Sequence, residues 1–384
     1  MTVITPFSTF YNPQVSFFGS GAIVAAIDDI KRNEYKSVLI VTDPGIIKTG
    51  LSDKVTALLK ERDIKVSVYG NCKPNPAIQN VEEGLVELSK ANANAIVSIG
   101  GGSAHDNAKA IALIATNGGE IKDYEGLDKS KKASLPLFAI NTTAGTASEL
   151  TRFTIISDEA RRTKMAIVDA HVTPTVAVND PEAMIGMPPG LTAATGLDAL
   201  THAIEAYVST AATPITDCCA LKAIDLIVAN LQNAYDDGKN LEARNNMCYA
   251  EYLAGMAFNN ASLGYVHAIA HQLGGVYHLP HGVCNAVLLN HVQKFNSADK
   301  NANDRLKVVA KHLRADEETA ESAVKFIREF ADKLGIPKNL KEMGVKEEDF
   351  ELLAENAMKD VCHVTNPIQF TKGEVIEVIK SAYY

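Results

Sequence analysis

Short β-branched runs alternate with helically spaced apolar positions through the first half of the chain. SVLIVT (37–42), IKVSVY (64–69), AIVSI (95–99) and LPLFAI (135–140) read as strands, and helices are expected near 44–62, 78–91 and 104–116. Alternation of this kind predicts parallel strands joined by crossover helices. Farther on, TIIS (154–157) and KMAIV (164–168) flank a charged DEARR and predict a hairpin or flap, and TVAV (175–178) reads as the last strand. From about Pro188 the texture turns Ala- and Leu-rich, with helical spacing near 191–209, 215–236, 241–275, 302–314, 318–335 and 347–359. A boundary therefore falls at MPPG (187–190), dividing an α/β domain over 1–188 from an all-α domain over 189–384.

Composition narrows the function classes. The 384 residues are 46% hydrophobic and 22% charged, as in ordinary globular proteins, with a net charge of −9 and no basic block. That argues against nucleic acid or an anionic membrane as partner. No stretch approaches the roughly 20 apolar residues of a membrane span. The N-terminus lacks the patterns of a secretory or mitochondrial leader, and the six cysteines form no C-x-x-C pair. A cytoplasmic protein with reduced thiols is expected.

Two segments carry candidate chemistry. AIVSIGGGSAHDNAKAIAL (95–113) is a strand, a glycine turn and a helix start in succession. Gly100, Gly101 and Gly102 let backbone approach a ligand, and the following amides can hold a diphosphate. This is not the G-x-G-x-x-G fingerprint, and a ligand-free tight turn would use glycines too. Asp43, at the end of the first strand, can bind ribose hydroxyls and favour NAD over NADP, yet before Pro44 it also reads as a helix N-cap. The NTTAGTASE loop (141–149) is a second anion-friendly turn or a capped helix start. In the second half, Asp198 and His202 share a helix face at i, i+4, as do His267 and His271, with His281 and His278 close behind. Carboxylate and imidazole suit a first-row divalent metal, and a lone Asp-x-x-x-His pair would more often be a polar contact. The clustering favours metal among Asp198, His202, His267, His271 and His281. No G-x-S-x-G elbow or Cys/His signature points to a nucleophile.

Taken together, GGGSAHDNAKA, NTTAGTASELTRF, GLDALTHAIEAY and GYVHAIAHQLGGVYHLPHG resemble the iron-containing (group III) alcohol dehydrogenases, from FYNPQVSFFG to DVCHVTNPIQFTKGEV. The similarity looks strongest to short-chain alcohol (ethanol) dehydrogenases of fermenting bacteria and yeast. It implies the dehydroquinate synthase-like fold, an N-terminal dinucleotide-binding α/β domain with an all-α domain, and an active site in the cleft between them. It implies Fe2+ as metal, with Zn2+ able to take its place, on Asp198, His202, His267 and His281. His271 falls beside the nicotinamide and substrate, as the catalytic candidate. NAD would be held by Asp43, Asn75 in the KPNP turn, Gly101, Gly102, Ser103, Asp106, Thr142, Thr143, Thr146 and Lys164. Phe153, Phe258 and Cys362 match substrate-pocket positions. Two departures stand out: Ala104 and Asn290 occupy positions where many members carry proline. The expected reaction is hydride transfer between primary alcohols and NAD by a homodimer or larger assembly. A 1,3-propanediol dehydrogenase, a lactaldehyde reductase or, from another class, a metal phosphohydrolase are the alternatives.

Overall fold

The computed structural model describes residues 7–161 and 163–384. Among these, the strands are β1 (Val15–Phe18), β2 (Ser37–Thr42), β3 (Lys65–Tyr69), β4 (Ala95–Gly100), β5 (Gly126–Leu127), β6 (Leu137–Asn141), β7 (Phe153–Asp158), β8 (Thr163–Val168) and β9 (Val176–Asn179). Six of them make one parallel sheet in the order β1-β9-β6-β4-β2-β3. Strands β2, β4, β6 and β9 are buried at every residue, which is why they read as unbroken apolar runs. Helices α1 (Ala22–Arg32), α2 (Pro44–Thr49), α3 (Leu51–Lys60), α4 (Ile78–Ala91) and α5 (Gly102–Asn117) supply the crossovers. Ile27, Ile30, Val55 and Leu59 of α1 and α3 pack on Val38, Ile40, Val97 and Ile99. Val81, Leu88 and Ile111 of α4 and α5 cover the opposite face, on Leu39, Val41 and Ile96. From β2 the chain moves outward to β3, then returns to β4 on the other side of β2. The strand order therefore reverses between β2 and β4, where α/β sheets bind ligands beyond the strand C-termini. Hairpin β7–β8, with β5 alongside, lies over α5 as a separate three-stranded flap.

The second half is helical: α6 (Pro189–Val208), α7 (Pro214–Asp236), α8 (Leu241–Ala261), α9 (Tyr265–Tyr277), α10 (His281–Asn296), α11 (Lys300–Leu313), α12 (Ala320–Lys333), α13 (Phe350–Ala357) and α14 (Lys372–Tyr383). Helix α6 is the axis of this half. Every residue from Thr192 to Val208 is buried, against α7, α8 and α10.

Several elements differ from the sequence pattern. The helix expected over 44–62 is two, broken at Gly50 in the left-handed region (φ 79°). The strand read as last is β9, the last in chain order, but half-exposed β1, which the pattern does not show, pairs outside it at the sheet edge. The helix expected over 241–275 is also two, because Ser262 leaves helical geometry at φ 61°. Helices α10 and α14 were not expected. Pro280 is the N-cap of α10. Ten of that helix's sixteen residues are buried, so it shows no apolar stripe. No helix among the described residues is long and apolar enough to cross a membrane.

One contact between the halves is electrostatically unusual. Glu149, after β6, and Glu251, on α8, are both fully buried. Glu251 Oε1 accepts from the Ala147 amide at 2.6 Å, and Glu149 Oε1 accepts from Asn179 at 3.2 Å. Each second oxygen has no donor, and the two carboxyls bond to each other when one is protonated. Burial raises both carboxyls above the ordinary range, and for Glu251 the charge of Glu149 adds to it. A raised folded-state value gives stability that is full below about pH 4.3 and lost as pH rises through the folded value, by at most about 1.4 kcal/mol per pH unit for each group. Glu251→Gln imitates the protonated form. Denaturant melts at pH 5 and pH 9 should show the variant losing less stability than wild type on going alkaline, and parallel losses would exclude a shared proton.

Candidate metal centre

The four residues Asp198, His202, His267 and His281 offer donor atoms that all lie within 4.8 Å of one another. Helix α6 supplies Asp198 and His202 one turn apart, α9 supplies His267, and the first residue of α10 is His281. Nε2 of His202, His267 and His281 stands 3.9, 3.8 and 3.6 Å from Asp198 Oδ1. Gly282 permits this approach: a Cβ there would lie 2.3 Å from the Ala194 carbonyl of α6. The rings of His202 and His267 stack at 4.7 Å, and Phe258 stacks on the outer face of His202 at 4.2 Å.

For His202 and His267 the inward-facing nitrogen is set by what the other nitrogen bonds. His202 donates from Nδ1 to the Gly145 carbonyl at 3.1 Å, so its Nε2 carries a free lone pair. His267 Nδ1 meets Glu205 Oε2 at 2.6 Å, while Glu205 Oε1 accepts from the Val266 amide. Asn285 donates to Asp198 Oδ1 at 2.7 Å and lies 3.0 and 3.1 Å from Nε2 of His267 and His281. Its own Oδ1 is buried without a partner. Burial pushes Asp198 up to about 7 and Glu205 up to about 8, and holds His202 and His267 well below the ordinary imidazole range. Desolvation is the first cause in each case, and a dication among these atoms would reverse its effect on both carboxyls. Three neutral imidazoles and a carboxylate aimed at one point therefore fit a divalent transition metal.

His271 lies outside the four-donor group. It stacks on His281 at 5.4 Å, donates from Nδ1 to Asp360 Oδ2 at 2.8 Å, and shares a smaller donor cluster with Asp360 and Cys362. His278 caps α9 at φ 56° and belongs to neither cluster. Phe153 lies 6.1 Å from Phe258, so both aromatics stand on the His202 side.

The nucleotide candidates converge at the reversal point of the sheet. Asp43 Oδ1 caps α2 through the amides of Gly45 and Ile46, whereas Oδ2 faces the glycine turn, 3.4 Å from where a Gly100 Cβ would sit. A Cβ on Gly101 would lie 2.9 Å from Thr143 Oγ1, and one on Gly102 would lie 3.1 Å from Thr146. Bare backbone thus opens a cradle between the α5 N-terminus and the 142–146 loop, which fits a diphosphate. The Thr142 amide donates to the Gly100 carbonyl. Asn75, at φ 54°, donates its amide to Ser103 Oγ and accepts from Lys164 Nζ at 2.9 Å. Asp106 is occupied by the protein itself, accepting from Ser148 at 2.6 Å and from the Ile155 amide at 3.1 Å. The 142–149 loop serves both regions, with Thr143 and Thr146 against the glycines and Gly145 holding His202.

Sequence reasoning passed over Glu205, Asn285, Asp360 and the Gly145 carbonyl. Helical spacing offered a signal for two of them: Glu205 follows His202 by three residues, and Asn285 follows His281 by four.

Comparison with known proteins agrees with this geometry. The family profile "Iron-containing alcohol dehydrogenase" matches residues 13–181, and "Fe-containing alcohol dehydrogenase family, C-terminal" matches residues 192–383. The chain is 65% identical over 374 residues to alcohol dehydrogenase 4 of Saccharomyces cerevisiae, covering 97% of this chain and 98% of that protein. It is 46% identical over 381 residues to the NAD-dependent methanol dehydrogenase of Bacillus methanolicus, covering 98% and 100%. The solved alcohol dehydrogenase from Oenococcus oeni superposes with a TM-score of 0.96 at 42% identity, over 98% of this chain and 100% of that one. The chain belongs to the iron-containing alcohol dehydrogenase family.

Glu205→Gln and Asn285→Ala remove groups that touch the donors without removing a donor. Each should weaken metal binding about 10–100-fold in chelator competition. Affinity equal to wild type in both variants would mean the support is only steric.

Proposed function

We propose that the protein interconverts short-chain primary alcohols and aldehydes by NAD-linked hydride transfer at the Asp198–His202–His267–His281 site. The observation that supports this reading most is the shared loop: the residues facing the glycine cradle and the acceptor for His202 lie within five positions, Thr142–Thr146. Iron is the metal of the family, and the affinity order lets Zn2+ compete for the same donors. A divalent ion bound there supplies Lewis acidity towards an alcohol or carbonyl oxygen, and bound NAD supplies the hydride acceptor.

The chain's own groups do the rest. Gly101 and Gly102 make room for the diphosphate, and Thr143, Thr146 and the α5 amides supply donors to it. The free oxygen of Asp43 receives ribose hydroxyls and repels a 2′-phosphate. Lys164, bonded to Asn75 and 3.7 Å from the Cβ position of Gly274 on α9, ties the cofactor side to the helical half. Phe153 and Phe258 form an apolar wall beside His202, suited to a small alkyl chain and to excluding water. His271 presents its remaining nitrogen to the cleft and takes the alcohol proton. A diol or a hydroxyaldehyde is the second choice of substrate. The protein is taken to act in the cytoplasm as a homodimer or larger assembly, in keeping with six free cysteines.

An anaerobic alcohol panel with NAD+ and NADP+, read as NADH absorbance alongside metal content, tests the activity. Ethanol or propanol should give turnover with NAD+, and His202→Ala should lose both metal and turnover. Phosphate release without NADH formation would overturn the reading. Asp43→Ser separates the two roles of Asp43, since serine keeps the cap and removes the charge. The NADP+ to NAD+ ratio of kcat/KM should rise at least tenfold. An unchanged ratio would leave Asp43 as a cap alone.

A further inference from the structure

We propose that Asp360 is the positioning residue for His271, fixing its tautomer so that Nε2 is the ring's unprotonated nitrogen. This rests on the alcohol dehydrogenase reading above. Asp360 lies 89 residues beyond His271, just after α13, and both of its carboxylate oxygens are engaged. Oδ1 accepts from the Cys362 amide at 2.9 Å and caps the short helical turn Val361–Thr365, while Oδ2 meets His271 Nδ1 at 2.8 Å. A carboxylate only accepts, so the proton of the neutral ring sits on Nδ1. Among the described residues no group bonds Nε2, and the His271 side chain is 27% exposed. The ring's tilt is fixed as well, by stacking on His281 at 18°.

The consequence is chemical. Oxidation of a primary alcohol breaks one C–H bond, whose electron pair leaves as hydride to NAD+, and one O–H bond, whose proton needs an acceptor. With Nδ1 protonated and tied back to Asp360, Nε2 accepts that proton, and the resulting imidazolium stays paired with the Asp360 carboxylate. In the reverse direction the same nitrogen returns it. His271 touches the reacting groups in this scheme, and Asp360 acts through His271.

Asp360→Asn gives a sharp test because the Cys362 amide dictates the amide's orientation. Oδ1 must still accept from Cys362, so Nδ2 faces His271 and donates to Nδ1, which moves the ring proton to Nε2. With metal-loaded protein we expect kcat to fall about 100-fold, with KM and metal content within twofold of wild type. In a His271→Ala background the same substitution should cost nothing further. Asp360→Glu, which keeps the carboxylate, should recover more of kcat than Asp360→Asn. A readout independent of turnover is 15N imidazole NMR on the Zn2+-loaded protein, with His271 assigned by its loss in His271→Gln. Wild type should show the Nδ1–H tautomer and Asp360→Asn the Nε2–H tautomer. An Nε2–H tautomer in wild type overturns the proposal, as does wild-type kcat in Asp360→Asn or an equal loss in the His271→Ala background. Absence of turnover in wild type with every alcohol sinks the activity reading instead, and the NMR result then still decides the tautomer.

Discussion

Directing four lone pairs at one point inside a protein is costly unless each is held by something that cannot turn away. For two of the imidazoles proton placement meets that cost. The Gly145 carbonyl fixes the proton of His202 on the outer nitrogen, and Glu205 does the same service for His267. Asp198, buried to 2% exposure, takes the Asn285 amide as its nearest protein donor. These supports account for features that are otherwise odd in a helical domain: a charged residue buried on the axis helix, an asparagine amide among imidazoles, and a glycine at the second position of α10.

The same loop that supports His202 also lines the glycine cradle, so the two halves of the chemistry are held by one short segment. Its course is set by contacts on both sides. Thr143 and Thr146 occupy the space that side chains on Gly101 and Gly102 would need. A Cβ on Gly145 would lie 2.6 Å from Thr195 of α6. The loop also ends at Glu149, whose buried carboxyl pairs with Glu251 of α8. Backbone shape here matters more than side-chain chemistry.

What was legible in the sequence follows from locality. The parallel α/β half was readable because the central strands are buried on both faces and announce themselves as apolar runs. The strand 37–42 and the helix 78–91 were read to the residue. Asp198 and His202 could be paired because one helix turn brings them together. Where burial is nearly uniform, periodicity vanishes, which hid α10, and an exposed edge such as β1 leaves almost no pattern. Two of the groups around the site left no sequence signal: the Gly145 carbonyl has no side chain to notice, and Asp360 reaches His271 through the packing of α13 on α9. Family resemblance could name donors, but the geometry was needed to show what holds them.

The distances along the chain carry a last consequence. Gly145 to His202 spans 57 positions, Glu205 to His267 spans 62, and Asp198 to Asn285 spans 87. Contacts of such separation, like strand pairings such as Val15 with Val176, carry a loop-closure cost that local helices do not. Small zinc modules gather their ligands within a few tens of residues and use the ion to drive folding. In this chain the donors are spread over positions 198–281 of the helical half, and the carbonyl that orients His202 comes from the other half. The bonds that orient these donors all run between protein groups, so the site is shaped by the fold around it.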